Sequence, residues 1–122
     1  MDTHILIWYI EGDHSLSSEF RQIIADPNNR VSVSIASFWE IGIKLSRGKL
    51  SLSKSIQELL SEIELSSIVI LPIESEHIIR VSKLLFHHKD PFDQMIISQA
   101  FVENIPMIST DSDFSKYGVT LL

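Results

Sequence analysis

The chain has 122 residues, of which 44% are hydrophobic and 21% are charged, as expected for one folded domain with one hydrophobic core. It contains no cysteine, which excludes disulfides and thiolate zinc sites and makes the cytoplasm the default compartment. The net charge of −6 argues against a protein that holds nucleic acid by a broad basic surface.

The first 25 residues predict two short helices, at 3–10 and 18–25. The apolar stretch Ile5–Ile10 in the first of them is too short to cross a membrane and has no basic leader before it. We therefore expect neither a signal peptide nor a membrane association.

A strand and two helices are predicted next. Residues 31–35 are rich in β-branched side chains and follow a turn signal, which is typical of a strand. Ser37 and Glu40 have the spacing of a capping box, which predicts a helix that begins at Ser37 and stops at Gly48. Ser53 is the predicted cap of a second, amphipathic helix.

The second half of the chain continues the alternation of strands and helices. Residues 68–71 form a continuous apolar run, which predicts a strand buried on both faces. Helices are predicted for 75–85 and for 90–104, the second opened by Asp90-Pro91 and ended by Asn104. Residues 106–109 and 119–122 predict two short strands.

This alternation indicates parallel β-α-β units, in an open sheet that helices cover on both faces. Ligands bind such sheets beyond the carboxyl ends of the strands, where helix N-termini also point. Glu40, Asp93 and Asp111 all fall at that edge, and Asp2 joins them if it ends a first strand. Four carboxylates would repel one another unless they held a cation, and Mg²⁺ or Mn²⁺ fits their oxygen ligands.

Each of these acids also has a purely structural explanation. Glu40 and Asp93 occupy helix N-terminal positions that favour acids, and Asp111 is in a turn-forming sequence. Their joint placement at one edge favours a metal site that promotes phosphodiester hydrolysis by a water molecule. An aspartyl-phosphate chemistry is less favoured, because Asp2-Thr3-His4 lacks a second aspartate.

Four segments, in this order and spacing, carry a resemblance that spans nearly the whole chain. They are Asp2-Thr3-His4, Ser37-Phe38-Trp39-Glu40-Ile41-Gly42-Ile43-Lys44, His87-His88-Lys89-Asp90-Pro91-Phe92-Asp93 with Ile96-Ile97-Ser98-Gln99-Ala100, and Ser109-Thr110-Asp111-Ser112-Asp113-Phe114. Together they resemble PIN-domain ribonucleases and, more narrowly, the VapC-like toxins of bacterial toxin–antitoxin pairs.

The resemblance implies a single domain over residues 1–122, with a three-layer α/β/α sandwich and a mainly parallel sheet of order 3-2-1-4-5. It also implies a Mg²⁺- or Mn²⁺-dependent endoribonuclease toxin that forms a homodimer and is silenced by a VapB-like antitoxin. The family's acidic quartet falls on Asp2, Glu40, Asp93 and Asp111, and Asp90 and Asp113 are auxiliary candidates.

One departure concerns the first strand. Family members carry several apolar residues before the first aspartate, whereas only Met1 precedes Asp2 here. The resemblance therefore implies a truncated first strand. The alternative function is a catalytically impaired PIN-like module that binds the antitoxin or RNA.

Other residues have a functional and a structural interpretation. Lys44 and Arg47 share a helical face and are either contacts for RNA phosphates or part of a solvated surface. For His87-His88, a catalytic role is the less favoured interpretation. Aromatic side chains could stack on bases, but we expect them to pack in the core. These aromatic residues are Trp8, Tyr9, Phe38 and Trp39.

Overall fold

The structure is a computed structural model that describes residues 1–84 and 90–122. Helices and short strands alternate along these ranges, as the sequence predicts. The elements are α1 (Thr3–Glu11), α2 (Ser18–Ala25), β1 (Ser32–Ser34), α3 (Ile35–Ser46), α4 (Ile56–Glu64), β2 (Val69–Leu71), α5 (Ser75–Val81), α6 (Pro91–Glu103) and a 3₁₀ helix (Ser112–Tyr117).

The two strands are parallel, with Ser32 opposite Val69 and Ser34 opposite Leu71. A further parallel bridge joins Met107 to Leu121. The two strands predicted for 106–109 and 119–122 are therefore reduced to this one bridge. Pro106, which has no backbone N–H to donate, opens the first of these segments.

The first two residues lie between these two pairs. The Met1 ammonium group donates a hydrogen bond to the Ser32 carbonyl oxygen at 3.0 Å. The backbone N–H of Asp2 donates to the Ile108 carbonyl oxygen at 3.2 Å. The segments therefore follow the predicted order 3-2-1-4-5, with a first strand shortened to these two residues. With helices on both sides of this layer, the three-layer α/β/α fold is confirmed.

The buried apolar side chains form two clusters. The first cluster includes residues of α1, α3 and α4, and the second is built mainly on α6 and the C-terminal segment. The first cluster contains Ile5, Leu6, Leu16, Ile24, Val31, Val33, Phe38, Ile41, Leu59, Ile63, Ile68 and Ile108. The second contains Ile96, Ile97, Ala100, Met107, Phe114, Tyr117 and Val119.

Several predicted boundaries are confirmed, and others are wrong. Both N-terminal helices form where the sequence predicts them, and Asn104 ends α6 in the left-handed conformation with φ of 53°. The prediction that the strand at 68–71 is buried on both faces is wrong. Val69 is 55% exposed, because β2 pairs with β1 alone and lies at the edge of the sheet.

The predicted N-caps of α3 and α4 are wrong by two or three residues. α3 begins after Ser34, whose hydroxyl oxygen accepts a hydrogen bond from Ala36 N–H. α4 begins after Ser55, which forms a capping box with Glu58. Ser53, the predicted cap, is instead bound through its N–H and its hydroxyl to the Glu11 carboxylate.

The helix predicted for 75–85 ends early, at Val81. The chain tightens there, since Lys83 N–H bonds to the Arg80 carbonyl and Leu84 N–H to the Val81 carbonyl. Leu85 lies outside the described residues, as do His87 and His88. Within the described part of the chain, every helix is too short or too polar to span a membrane.

Candidate metal centre

Asp2 is buried and held by two hydrogen bonds to its carboxylate. One oxygen, Oδ1, accepts the Ile5 N–H at 3.0 Å, so Asp2 is the N-cap of α1. The other, Oδ2, accepts a short hydrogen bond from the Ser109 hydroxyl. Burial lowers the pKa of the neighbouring Met1 ammonium to about 6, and the Asp2 carboxylate opposes this shift.

Glu40 is the most buried of the four predicted ligands, with 3% of its surface exposed. It is the sixth residue of α3, so the capping-box explanation for this acid is wrong. The structure places it in the second turn of a helix that packs against both α1 and α6. Helix capping therefore does not account for a buried carboxylate at this position.

The two carboxylate oxygens of Glu40 have different surroundings. Oε2 accepts a hydrogen bond from the Lys44 ammonium group at 2.6 Å, in an ion pair one helical turn long. Oε1 is buried and has no hydrogen-bond partner among the described residues. A buried carboxylate oxygen without a donor is costly, which makes this atom a natural ligand for a cation.

Asp93 lies in the first turn of α6, where the sequence places it. Asp90 is the N-cap of this helix, and its Oδ1 accepts the backbone N–H groups of Phe92 and Asp93 at 2.8 and 3.2 Å. Pro91 occupies the first helical position, as is typical of such starts. The structure thus gives Asp90 a capping role and places Asp93 in the first turn of the same helix.

Asp111 caps the 3₁₀ helix and is connected to Asp2 through Ser109. Its Oδ1 accepts the Asp113 N–H at 3.0 Å, and its own N–H donates to the Ser109 hydroxyl oxygen at 3.0 Å. Ser109 therefore joins the two predicted ligands, since it also donates to Asp2. Asp113 forms an ion pair with Lys116 at 2.8 Å on the surface.

Three of the four predicted ligands line one pocket of about 320 Å³. These are Asp2, Asp93 and Asp111, which come from distant parts of the sequence. Glu40 is not in the pocket lining. Within residues 1–84 and 90–122, no three His, Asp or Glu side chains are close enough together to form a metal site. The full lining consists of Asp2, His4, Trp8, Asp93, Thr110, Asp111 and Phe114.

The donor set nevertheless suits a hard divalent cation. Carboxylates with neighbouring hydroxyl groups are the ligands that Mg²⁺ and Mn²⁺ prefer, and they leave room for water. The Oε1 atom of Glu40, which has no hydrogen-bond partner in the part of the chain that the structure describes, is an independent sign that a cation fits this region. In donor chemistry these residues suit such an ion, which Asp2, Asp93, Asp111 and Glu40 would hold.

Lys44 and Arg47, the two predicted contacts for RNA phosphates, have different surroundings in the structure. Lys44 is half-buried and bound to Glu40, so its ammonium group is already engaged. Arg47 is exposed and is the C-terminal cap residue of α3. Two residues of the pocket, His4 and Thr110, were not among the predicted ligands, although each lies within two residues of one.

The chain matches the family described as PIN domain over residues 1–119. The match covers nearly the whole chain, and its boundaries include every carboxylate discussed above. This protein belongs to the PIN-domain family. Members of this family are generally metal-dependent nucleases, and they typically use divalent metal ions. A comparison with curated proteins found no match.

Proposed function

We propose that this PIN-domain protein is an endoribonuclease that hydrolyses RNA phosphodiester bonds at the pocket of Asp2, Asp93 and Asp111. The observation that carries the proposal is the meeting of these three carboxylates in one pocket. Glu40 supports it, because a buried carboxylate oxygen without a partner lies on the helix that packs against α1 and α6. The family match supports nuclease chemistry in general.

The residues of the chain have distinct tasks in this proposal. Asp2, Asp93, Asp111 and the Oε1 atom of Glu40 would hold a Mg²⁺ or Mn²⁺ ion. When bound, such an ion supplies Lewis acidity to a phosphodiester and to the attacking water. Ser109 and the Ile5 N–H fix the Asp2 carboxylate, so this group is held in position before any ligand arrives. Lys44 balances the charge of Glu40.

The sequence resemblance extends the proposal to a biological role. We propose a VapC-like toxin in the cytoplasm that acts as a homodimer and is silenced by a VapB-like antitoxin. The similarity in order and spacing of the four motif segments supports this narrower assignment. Co-purification of the chain with the protein encoded beside it, and loss of RNA cleavage in that complex, are the expected results.

The central test compares two aspartates in one helical turn, Asp93 and Asp90. The substrate is an end-labelled RNA with a hairpin and a single-stranded tail, incubated with Mg²⁺, with Mn²⁺ or with EDTA. We expect cleavage only with metal, and a loss of about 100-fold or more in rate for Asp93→Asn. Asp90→Asn should keep most of the activity, because asparagine caps a helix as well as aspartate does.

Both variants need a thermal melt beside the cleavage assay. Asp93→Asn removes one favourable charge at a helix N-terminus, which costs about 0.3–1 kcal/mol and leaves the protein folded. Cleavage that persists in EDTA, or in a folded Asp93→Asn variant, would contradict the proposal. Equal loss in both variants would show instead that the Asp90 carboxylate also takes part.

A second function is supported by the hydrogen bonds of the predicted ligands. Both oxygens of Asp2 and one oxygen of Glu40 already have partners, which favours a module that binds RNA or antitoxin without cutting. RNA binding without metal-dependent cleavage by the same folded preparation is the result expected of such a module. Metal-dependent cleavage abolished by Asp93→Asn would exclude it.

A further inference from the structure

Trp39 is the largest exposed aromatic side chain near the candidate metal centre. Trp39 is 62% exposed, whereas its neighbours Phe38 and Glu40 are only 4% and 3% exposed. The expectation that this ring packs in the core is therefore wrong. α3 turns by about 100° per residue, which puts residue 39 outside the buried face that holds residues 38 and 41. An exposed tryptophan on the helix that carries Glu40 is a candidate for ligand contact.

Phe92 holds the ring of Trp39 in place. The two ring centroids are 5.0 Å apart, and the ring planes meet at 87°, which is an edge-to-face contact. Trp39 directly precedes Glu40, and Phe92 directly precedes Asp93. The ring pair therefore joins the two helices at the level of two predicted ligands. One ring supports the other, so an exposed flat surface is available at small entropic cost.

Two lysines near the site are already paired with acidic side chains. Among the described residues, the lysines paired with the acidic site residues are Lys44, on Glu40, and Lys116, on Asp113. The chain as a whole carries a net charge of −6. Contacts between lysine and phosphate usually dominate the affinity for nucleic acid, and this charge balance disfavours a binding mode that relies on them alone. Stacking of a base on an aromatic ring does not depend on charge and can replace part of this affinity.

We propose that Trp39, supported by Phe92, is a stacking platform for one nucleobase of the RNA beside the bond that is cut. This inference rests on the proposed function, since it assigns a subsite for the same substrate. The platform recognises a base that is unpaired and free to leave its own stack, so the substrate is single-stranded at the site. The platform does not distinguish between the four bases, but it binds a nucleotide that carries a base more tightly than an abasic one.

The first experiment measures binding of a fluorescent eight-nucleotide single-stranded RNA in EDTA, where no cleavage occurs. We expect Trp39→Ala to weaken binding by about 5- to 150-fold, and Trp39→Phe to restore most of the affinity. Leu65→Ala is the matched control, because Leu65 is an exposed apolar residue, 90% accessible, on another helix end. This control should bind as the wild type does.

The second experiment tests whether Trp39 contacts a base of the RNA or its sugar-phosphate backbone. A set of oligonucleotides with one abasic nucleotide at each position is tested against wild type and Trp39→Ala. At one position, removal of the base should lower the affinity of the wild type as much as Trp39→Ala does. The same abasic oligonucleotide should bind Trp39→Ala no more weakly than the complete oligonucleotide does. An effect of Trp39→Ala that is equal for every abasic oligonucleotide would overturn the proposal.

A third readout is the dependence on salt. Stacking predicts that the affinity falls by less than about 10-fold between 50 and 200 mM salt, since few phosphate contacts are broken. A fall of about 1,000-fold or more would assign binding to cations and overturn the proposal. Wild-type RNA binding by Trp39→Ala, together with loss of a protein partner or of the dimer, would show that the platform serves a protein contact instead.

The outcomes for the subsite and for the proposed function can be told apart. If cleavage depends on metal and on Asp93 but Trp39→Ala has unchanged binding and KM, the subsite is wrong and the nuclease stands. If RNA binding depends on Trp39 but no metal ion promotes cleavage, the nuclease is wrong and the subsite stands.

Discussion

The elements of each hydrophobic cluster carry two of the four predicted ligands, and the two pairs differ in how deeply they are buried. Asp2 and Glu40 belong to elements of the first cluster, and both are buried. Asp93 and Asp111 belong to elements of the second cluster, and both are half-buried. Contacts that join the halves include the packing of α3 against α6, the hydrogen bond from Ser109 to Asp2, and Trp39 against Phe92.

This difference shows how an acidic site can be stable without its ligand. The charge of Glu40 is balanced by Lys44, and Asp2 is satisfied by donors within the protein. Asp93 and Asp111 keep contact with solvent, which lowers the cost of their charges. The buried pair is thus held by contacts within the fold, and under the proposed function the half-buried pair is where a ligand would enter. The following predictions test this division.

The largest expected effect concerns the packing of the clusters. Ile41 in the first cluster and Ile97 in the second are both fully buried. Replacing either by alanine should lower the free energy of unfolding by about 2–5 kcal/mol. Because the halves share the contacts at Asp2 and Ser109, we expect each variant to unfold in one cooperative transition. Denaturant melts followed by circular dichroism and by tryptophan fluorescence measure both quantities.

Two separate transitions in either variant would show that the clusters unfold independently. In that case the site would assemble only when both halves are folded. Replacement of the exposed Ile78 by alanine is the matched control, and it should change the stability by less than about 0.5 kcal/mol.

A smaller effect is expected for the lysines that pair with the two halves of the site. Lys44→Met leaves the buried Glu40 without a counter-ion, and we expect a loss of about 1–3 kcal/mol, less than for a fully buried pair because Lys44 is 38% exposed. Lys116→Met breaks an ion pair that is exposed and therefore screened by solvent. The hydrogen bond to Asp113 raises the pKa of Lys116, but at an exposed site this interaction adds little stability. This second change should leave the melting temperature nearly unaltered.

A titration of both lysine variants with Mn²⁺, followed by their thermal stability, tests whether Glu40 is a metal ligand. Mn²⁺ should recover much of the stability lost in Lys44→Met, because the cation replaces the missing positive charge at Glu40. It should have no special effect on Lys116→Met. Equal stabilisation of both variants by Mn²⁺ would mean that Glu40 is not a ligand.

A loss of stability somewhat smaller than that of Lys44→Met is expected at the link between the halves. Ser109→Ala removes the donor to Asp2 and the acceptor of Asp111 N–H, which should cost about 1–2 kcal/mol of stability. It should also weaken Mn²⁺ binding by about 10-fold, since Asp2 loses its fixed orientation. Isothermal titration measures this affinity. Unchanged metal binding would show that Asp2 is positioned by the α1 cap alone.

The sequence predicts best where local chemistry determines the structure. Asp90-Pro91 at the start and Asn104 at the end define α6, because a cap and a left-handed residue act within one turn. The placement of Asp93 and Asp111 at one pocket agrees with the rule that ligands collect beyond the carboxyl ends of parallel strands, whereas Asp2 was expected there mainly from the family resemblance.

Contacts between distant residues explain most of what the sequence did not predict. Ser37 was the predicted cap of α3, but its hydroxyl is instead bound to Thr3, which is 34 positions away. Lys44 was expected to face either phosphates or solvent, but it pairs with Glu40. Trp39 has the apolar character of a core residue, and only the packing of α3 against its neighbours shows that it is exposed.

The position of β2 has a consequence for how copies of this chain can associate. An exposed strand edge invites another strand to pair with it, which is a common route to aggregation. Here the edge strand has only three residues, and Pro72, which has no N–H to offer, follows it. The Pro72 carbonyl already accepts a hydrogen bond from the Gln99 side chain at 3.1 Å. Two copies that meet at this edge would gain a very short backbone ladder, so a stable dimer must be held together by its side chains.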